Sequence, residues 1–141
     1  MKLKAWHFVV AIILFSGLTR WLGIRDLRRR SPDQTSGYLT ELDGTSVADS
    51  LSSRWCFVLF YQENSEHCDK MEGALHLLAK NNRHRTGFFK LNPDNYPEYG
   101  QKYTISGVPT TLILHDGKEV ARIMGVVSQR NLEIIYARTT R

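Results

Sequence analysis

Residues 60–71, FYQENSEHCDKM, carry an apolar strand into a polar turn and then into a helix whose first turn holds a lone cysteine, Cys68. Upstream, residues 55–61 (WCFVLFY) form an unbroken apolar run with aromatic and β-branched members, the pattern of a strand buried on both faces. Downstream the period changes: Met71, Ala74, Leu75 and Leu78 follow the spacing of a helix with one face packed on a sheet. Ser65 is placed to cap that helix, its hydroxyl accepting from backbone N–H groups one turn on. Gly73 interrupts the helix, which predicts a bend or a close approach.

Working outward, residues 38–42 predict a short first strand, residues 45–52 a weak helix and residues 87–91 (GFFKL) another strand. Residues 93–103 are polar and turn-rich, with Tyr96, Tyr99 and Tyr103 spaced for one helical face. Residues 105–110 (ISGVPT) lead into a strand at 111–114. The Asp116-Gly117 pair then predicts a tight hairpin into a strand at 119–124. Gly125 breaks that strand, and Ser128 caps a last helix whose apolar positions are Leu132, Ile135 and Tyr136. The order of elements predicts an α/β fold: a central mixed sheet with an antiparallel edge, flanked by helices.

The first thirty residues differ in kind. Residues 5–18 are mostly apolar but too short for a full span; extended through Trp21, Leu22 and Ile24, residues 5–24 give a helix of about 30 Å, enough to cross a bilayer. Arg20 can snorkel, and Trp6 and Trp21 fall near opposite interfaces. An uncleaved N-terminal transmembrane helix is preferred over a cleaved signal peptide because no A-x-A-like site follows the apolar run. The expected organisation is an anchor with a basic flank at 1–30, a linker at 31–37 (SPDQTSG) and one domain at 38–141. Lys2 and Lys4 on one side and five arginines on the other leave the side of the domain open. The net charge of +5 has the same origin: residues 1–30 hold seven Lys and Arg against Asp26, whereas residues 31–141 hold 12 basic and 13 acidic side chains. A near-neutral domain argues against nucleic-acid binding.

Cys56 and Cys68 allow one disulfide at most, and about 16 Å of strand between Cys56 and the turn argues against it. Cys56 reads as a small buried hydrophobe. His67 is adjacent to Cys68, and His76 and His84 lack paired ligands, so neither a metal nor a cofactor is expected.

With these residues in place the chain resembles the thioredoxin and protein disulfide isomerase family over residues 38–141. FYQENSEHCDKM is similar to that family's active-site segment, and GVPT to its cis-proline loop. The spacing from Cys68 to Lys90-Leu91-Asn92, on to Pro109 and to Gly125, follows the bacterial thioredoxin pattern. The resemblance implies that the residue before the cis proline, here Val108, offers its backbone to an extended peptide. The implied peptide-binding surface comprises Val108, Pro109, Thr110 and Gly125 beside the turn at 65–68.

The departures bear on chemistry. Ser65 stands where the family has its attacking cysteine, Asn64 where it has tryptophan and Leu59 where it keeps a buried acid. A serine hydroxyl cannot carry out thiol–disulfide exchange, so two-cysteine turnover is excluded. Cys68 remains as the candidate catalytic sulfur, with His67 as a candidate tuning residue and Glu63, Glu66 and Asp69 adding negative charge around it. The Ser-x-His-Cys arrangement is similar to the thioredoxin domain of bacterial chaperedoxins, whose helical-repeat region this chain lacks. The expectation is a membrane-anchored thioredoxin-like protein without the dithiol centre, in a folding or redox-homeostasis role. It binds protein clients or a membrane partner at the cis-proline face, with mixed-disulfide formation through Cys68. The alternatives are a monothiol oxidoreductase and a structural subunit of a membrane complex.

Overall fold

The computed structural model describes residues 37–43, 47–52 and 54–141. The expected anchor at 5–24, the linker at 31–36 and the start of the predicted first helix at 45–46 lie outside the described residues. Five strands and four helices follow in order: β1 (Thr40–Glu41), α1 (Val47–Leu51), β2 (Trp55–Phe60), α2 (Glu66–Asn82), β3 (Gly87–Leu91), α3 (Pro97–Lys102), β4 (Thr110–His115), β5 (Lys118–Met124) and α4 (Gln129–Thr139). The strands form one sheet in the order β1-β3-β2-β4-β5. The first three are parallel, and β4 and β5 add an antiparallel edge. No helix among the described residues is long and apolar enough to cross a membrane.

β2 is central because both of its faces are covered. Phe57 and Leu59 point into a core with Met71, Leu75 and Leu78 of α2 and Leu132 of α4. Cys56, Val58 and Phe60 point the other way, into a core with Val47 and Leu51 of α1 and the half-buried Tyr96, Tyr99 and Tyr103 around α3. Alternation along a strand puts successive side chains on opposite faces, so an all-apolar run needs two cores. Each large side chain buried here contributes about 1.5–3 kcal/mol.

The two cysteines fall on opposite faces of the sheet and are free thiols. The Asp116-Gly117 hairpin forms with both residues at positive φ, 49° and 77°, which glycine adopts without penalty and aspartate tolerates. Gly73 makes no close approach: a Cβ there would meet nothing within 4 Å, and α2 runs through it unbroken. Gly87 does sit against a neighbour: a Cβ there would come within 2.6 Å of the Phe89 ring.

Candidate functional site

β2 ends at Phe60, and the chain turns through Asn64, held at φ 59°, into the N-terminus of α2. Ser65 is the N-cap in extended conformation, and its Oγ accepts from the Cys68 N–H at 3.4 Å. The cap sets the first turn of the helix, and that turn aims Cys68 inward: the residue is 2% exposed. Its Sγ accepts a hydrogen bond from the Gln62 backbone N–H at 3.5 Å. His67 lies exposed on the same turn, and among the described residues no hydrogen bond or ion pair joins it to Cys68.

The Val108–Pro109 peptide is cis. Thr110 Oγ1 donates to the Gly107 carbonyl at 2.7 Å, and the Gly125 N–H donates to the Pro109 carbonyl at 2.8 Å. Gly125 sits at φ 80°, where a side chain is disfavoured. Val108, Pro109, Thr110 and Gly125 are therefore one assembly, and Thr110 pairs with Phe60 at the end of β2 that leads to Cys68. Val108 packs against both cores, including the one that contains Cys68.

An open cleft of about 830 Å³ lies beside this assembly, lined by Gln62, Asp94, Pro97, Ile105 and Val108 among others. Gln62 closes one wall, its Nε2 donating to Asp94 Oδ2 at 2.9 Å. One residue thus covers the sulfur with its backbone and faces the cleft with its side chain.

A buried polar network supports this end of the sheet, and sequence reasoning missed it. Lys90 Nζ is 2.9 Å from Glu72 Oε1 and lies over the Tyr61 ring at 5.0 Å. The Tyr61 hydroxyl donates to Glu41. Burial, then the bonded Glu41 carboxylate, push the Tyr61 phenol above its ordinary range. Lys90 is the register neighbour of Leu59, and its carboxylate partner comes from α2, one turn beyond Cys68. The signal was present in the sequence: Glu72 interrupts the apolar stripe of α2, next to Met71 and one turn from Leu75 and His76. A charged residue at such a position needs a partner.

Cys56 is a different kind of thiol. It is fully buried on the other face, donates to the Leu51 carbonyl at 3.8 Å, and burial pushes it up to about 11. Among the described residues no group of three or more His, Cys, Asp or Glu side chains gathers as metal donors.

Comparison with known proteins bears on the whole domain. A family model described as Thioredoxin matches residues 42–137. A thioredoxin of Chlamydia trachomatis serovar D is 32% identical over 87 residues, covering 62% of this chain and 84% of that protein. Glutaredoxin 3 of Danio rerio is 35% identical over 68 residues, 48% of this chain and 21% of that protein. Thioredoxin AMT13 of Alternaria alternata is 48% identical over 40 residues, 28% of this chain and 34% of that protein.

Proposed function

The chain belongs to the thioredoxin family, as a thioredoxin-like redox protein, and from that premise we propose a membrane-anchored, single-sulfur member that binds protein partners at the Val108–Thr110 face. The observation that carries this is the position of Gln62, between Cys68 Sγ and the cleft. A partner segment lying in the cleft reaches the residue that covers the sulfur.

Cys68 then supplies a trap rather than a cycle. Its thiolate attacks one sulfur of a partner disulfide, the Cys68–partner disulfide forms, and the partner's other sulfur leaves as a thiolate. A two-cysteine centre resolves this adduct with its second sulfur. Ser65 Oγ, which is engaged as the helix cap, cannot attack a disulfide sulfur, so release needs an external thiol. The 2% exposure of Cys68 restricts the trap to partners that dock first. Residues 5–24 serve as the membrane anchor in this reading.

A monothiol oxidoreductase is the second reading, favoured by the Gln62 N–H aimed at Sγ. Turnover separates the two. The full chain in detergent micelles is given reduced glutathione and a disulfide-linked peptide, beside Cys68→Ser and Ser65→Cys. The binding reading expects a silent parent, a single mixed disulfide at Cys68 by mass spectrometry with oxidised glutathione, and multiple turnover in Ser65→Cys. Turnover by the parent that disappears in Cys68→Ser replaces it with the monothiol reading. Alkaline extraction tests the anchor: the chain stays with the membrane pellet, and release into the supernatant removes that part.

A further inference from the structure

At the end of the sheet remote from Cys68, a cavity of about 560 Å³ is lined by Arg54, His84, Arg85 and Arg141, with the Thr86 and Tyr136 hydroxyls among its walls. Three elements converge on it: the start of β2, the chain just past α2 and the last turn of α4. Among the described residues no acidic side chain lines it. None of the three guanidinium groups has a carboxylate partner among the described residues, whose ion pairs engage Lys70, Lys90, His115 and Arg122. Asp116 donates its N–H to the Arg54 carbonyl, and its carboxylate faces His115 Nδ1 at 3.7 Å.

Basic residues past a helix C-terminus commonly serve its carbonyls. Here, among the described residues, no guanidinium group bonds to those carbonyls, and other groups meet part of the need. Asn82 O accepts from the Arg85 and Thr86 N–H groups, and Tyr136 O accepts from the Thr140 N–H and Oγ1. The guanidinium groups are left for something else. The three guanidinium groups are exposed and repel one another only weakly through water, while an oxyanion placed among them is attracted by all three. Guanidinium forks suit tetrahedral oxyanions, and the hydrogen-bonded Thr86–Tyr136 pair, 3.0 Å apart, keeps one hydroxyl hydrogen free to donate.

We propose that this cavity binds a phosphate group, carried by a phospholipid headgroup or by a soluble phosphate ester. The lipid source rests on the proposed anchor; the soluble source does not.

Two arms test it on the full chain. In neutral detergent, glycerol 3-phosphate is titrated and read by phosphorus NMR. In nanodiscs of phosphatidylcholine, with or without phosphatidylglycerol, amide exchange at residues 54–55 and 84–86 is read by mass spectrometry. The site predicts ester binding, or slowed exchange with phosphatidylglycerol, and an affinity weakened at least about tenfold in R54E/R85E. R130E, a single charge reversal at the opposite end of α4, leaves binding unaltered. R54Q/R85Q, with a parent-like melting midpoint, guards against misfolding. Binding of the ester alone assigns a soluble ligand, and protection by phosphatidylglycerol alone assigns a headgroup. A chain that fails to enter nanodiscs defeats the anchor while the ester arm still tests the cavity. No effect in either arm, or equal losses in R130E and R54E/R85E, overturns the site.

Discussion

At its C-terminal end β2 leads toward a buried thiol, Cys68, beside a cleft lined by Gln62 and Asp94; at its N-terminal end lies a second buried thiol, Cys56, near a cavity lined by three arginines, and among the described residues the first lining has no basic side chain and the second no acidic one. The two thiols differ in hydrogen-bond direction: Cys68 accepts from an N–H, and Cys56 donates to a carbonyl. Burial alone therefore does not define a sulfur's role. At Cys56 a carbonyl partner and desolvation hold the thiol protonated. The ends also differ in how charge is handled. Near Cys68 a lysine and a glutamate are buried together, while at the far end arginines stand exposed and unpaired among the described residues.

The largest expected effect breaks the first end. Lys90→Met strands the Glu72 carboxylate, with 9% of its side chain exposed, and should cost about 3–5 kcal/mol in denaturant unfolding. Lys90→Met with Glu72→Leu should recover most of it, because the penalty is an unpaired charge rather than a lost attraction.

Alkaline pH probes the second end. Cys56, pushed up to about 11 in the fold, ionises lower in the unfolded chain, so its contribution is fully present below the unfolded value. It is lost as pH rises through the folded value, by roughly 2–3 kcal/mol. Cys56→Ala should flatten the fall in stability between about pH 9 and 11. An unchanged slope would show that this thiol is not held protonated by the fold.

Smaller again is the cap. Ser65→Ala removes the oxygen that accepts from the Cys68 N–H and should lower stability by about 1 kcal/mol. Ser128→Ala, which caps α4 through the Asn131 N–H, should cost about the same. A clearly larger loss at Ser65 would mean that the cap also secures the sulfur's position. Smallest of all, Arg54→Gln and Arg85→Gln should each change stability by less than about 0.5 kcal/mol, since both side chains are exposed and unpaired among the described residues. A large loss would make these arginines structural and weaken the case for a ligand.

Much of the scaffold was legible because local rules operate over a few residues. The apolar run around Val58, the α2 stripe through Met71 and Leu75, the Ser65 cap and the Asp116-Gly117 turn all formed as their patterns predict. Val108, Pro109, Thr110 and Gly125 lie together in the fold, joined by the Thr110–Gly107 and Gly125–Pro109 hydrogen bonds. Gly73 was misread because a glycine in a helix signals either close packing or simple tolerance, and only its neighbours distinguish them. The Glu72–Lys90 and Tyr61–Glu41 contacts join residues 18 and 20 positions apart across different elements, beyond the reach of periodicity.

By itself the amino-acid sequence determined the order of elements, the two-faced burial of β2 and the presence of Ser65 three residues before Cys68, since period, turn chemistry and residue identity are local properties. It also summed the charge of residues 31–141 to near zero, which concealed how that charge is distributed. Tertiary structure alone decided that Gln62 lies between Cys68 and the cleft, that Lys90 finds its carboxylate on α2, and that Arg54, Arg85 and Arg141 share one cavity. Electrostatics depends on distance in space, and the parallel crossovers of this sheet bring residues far apart in the chain to the same end.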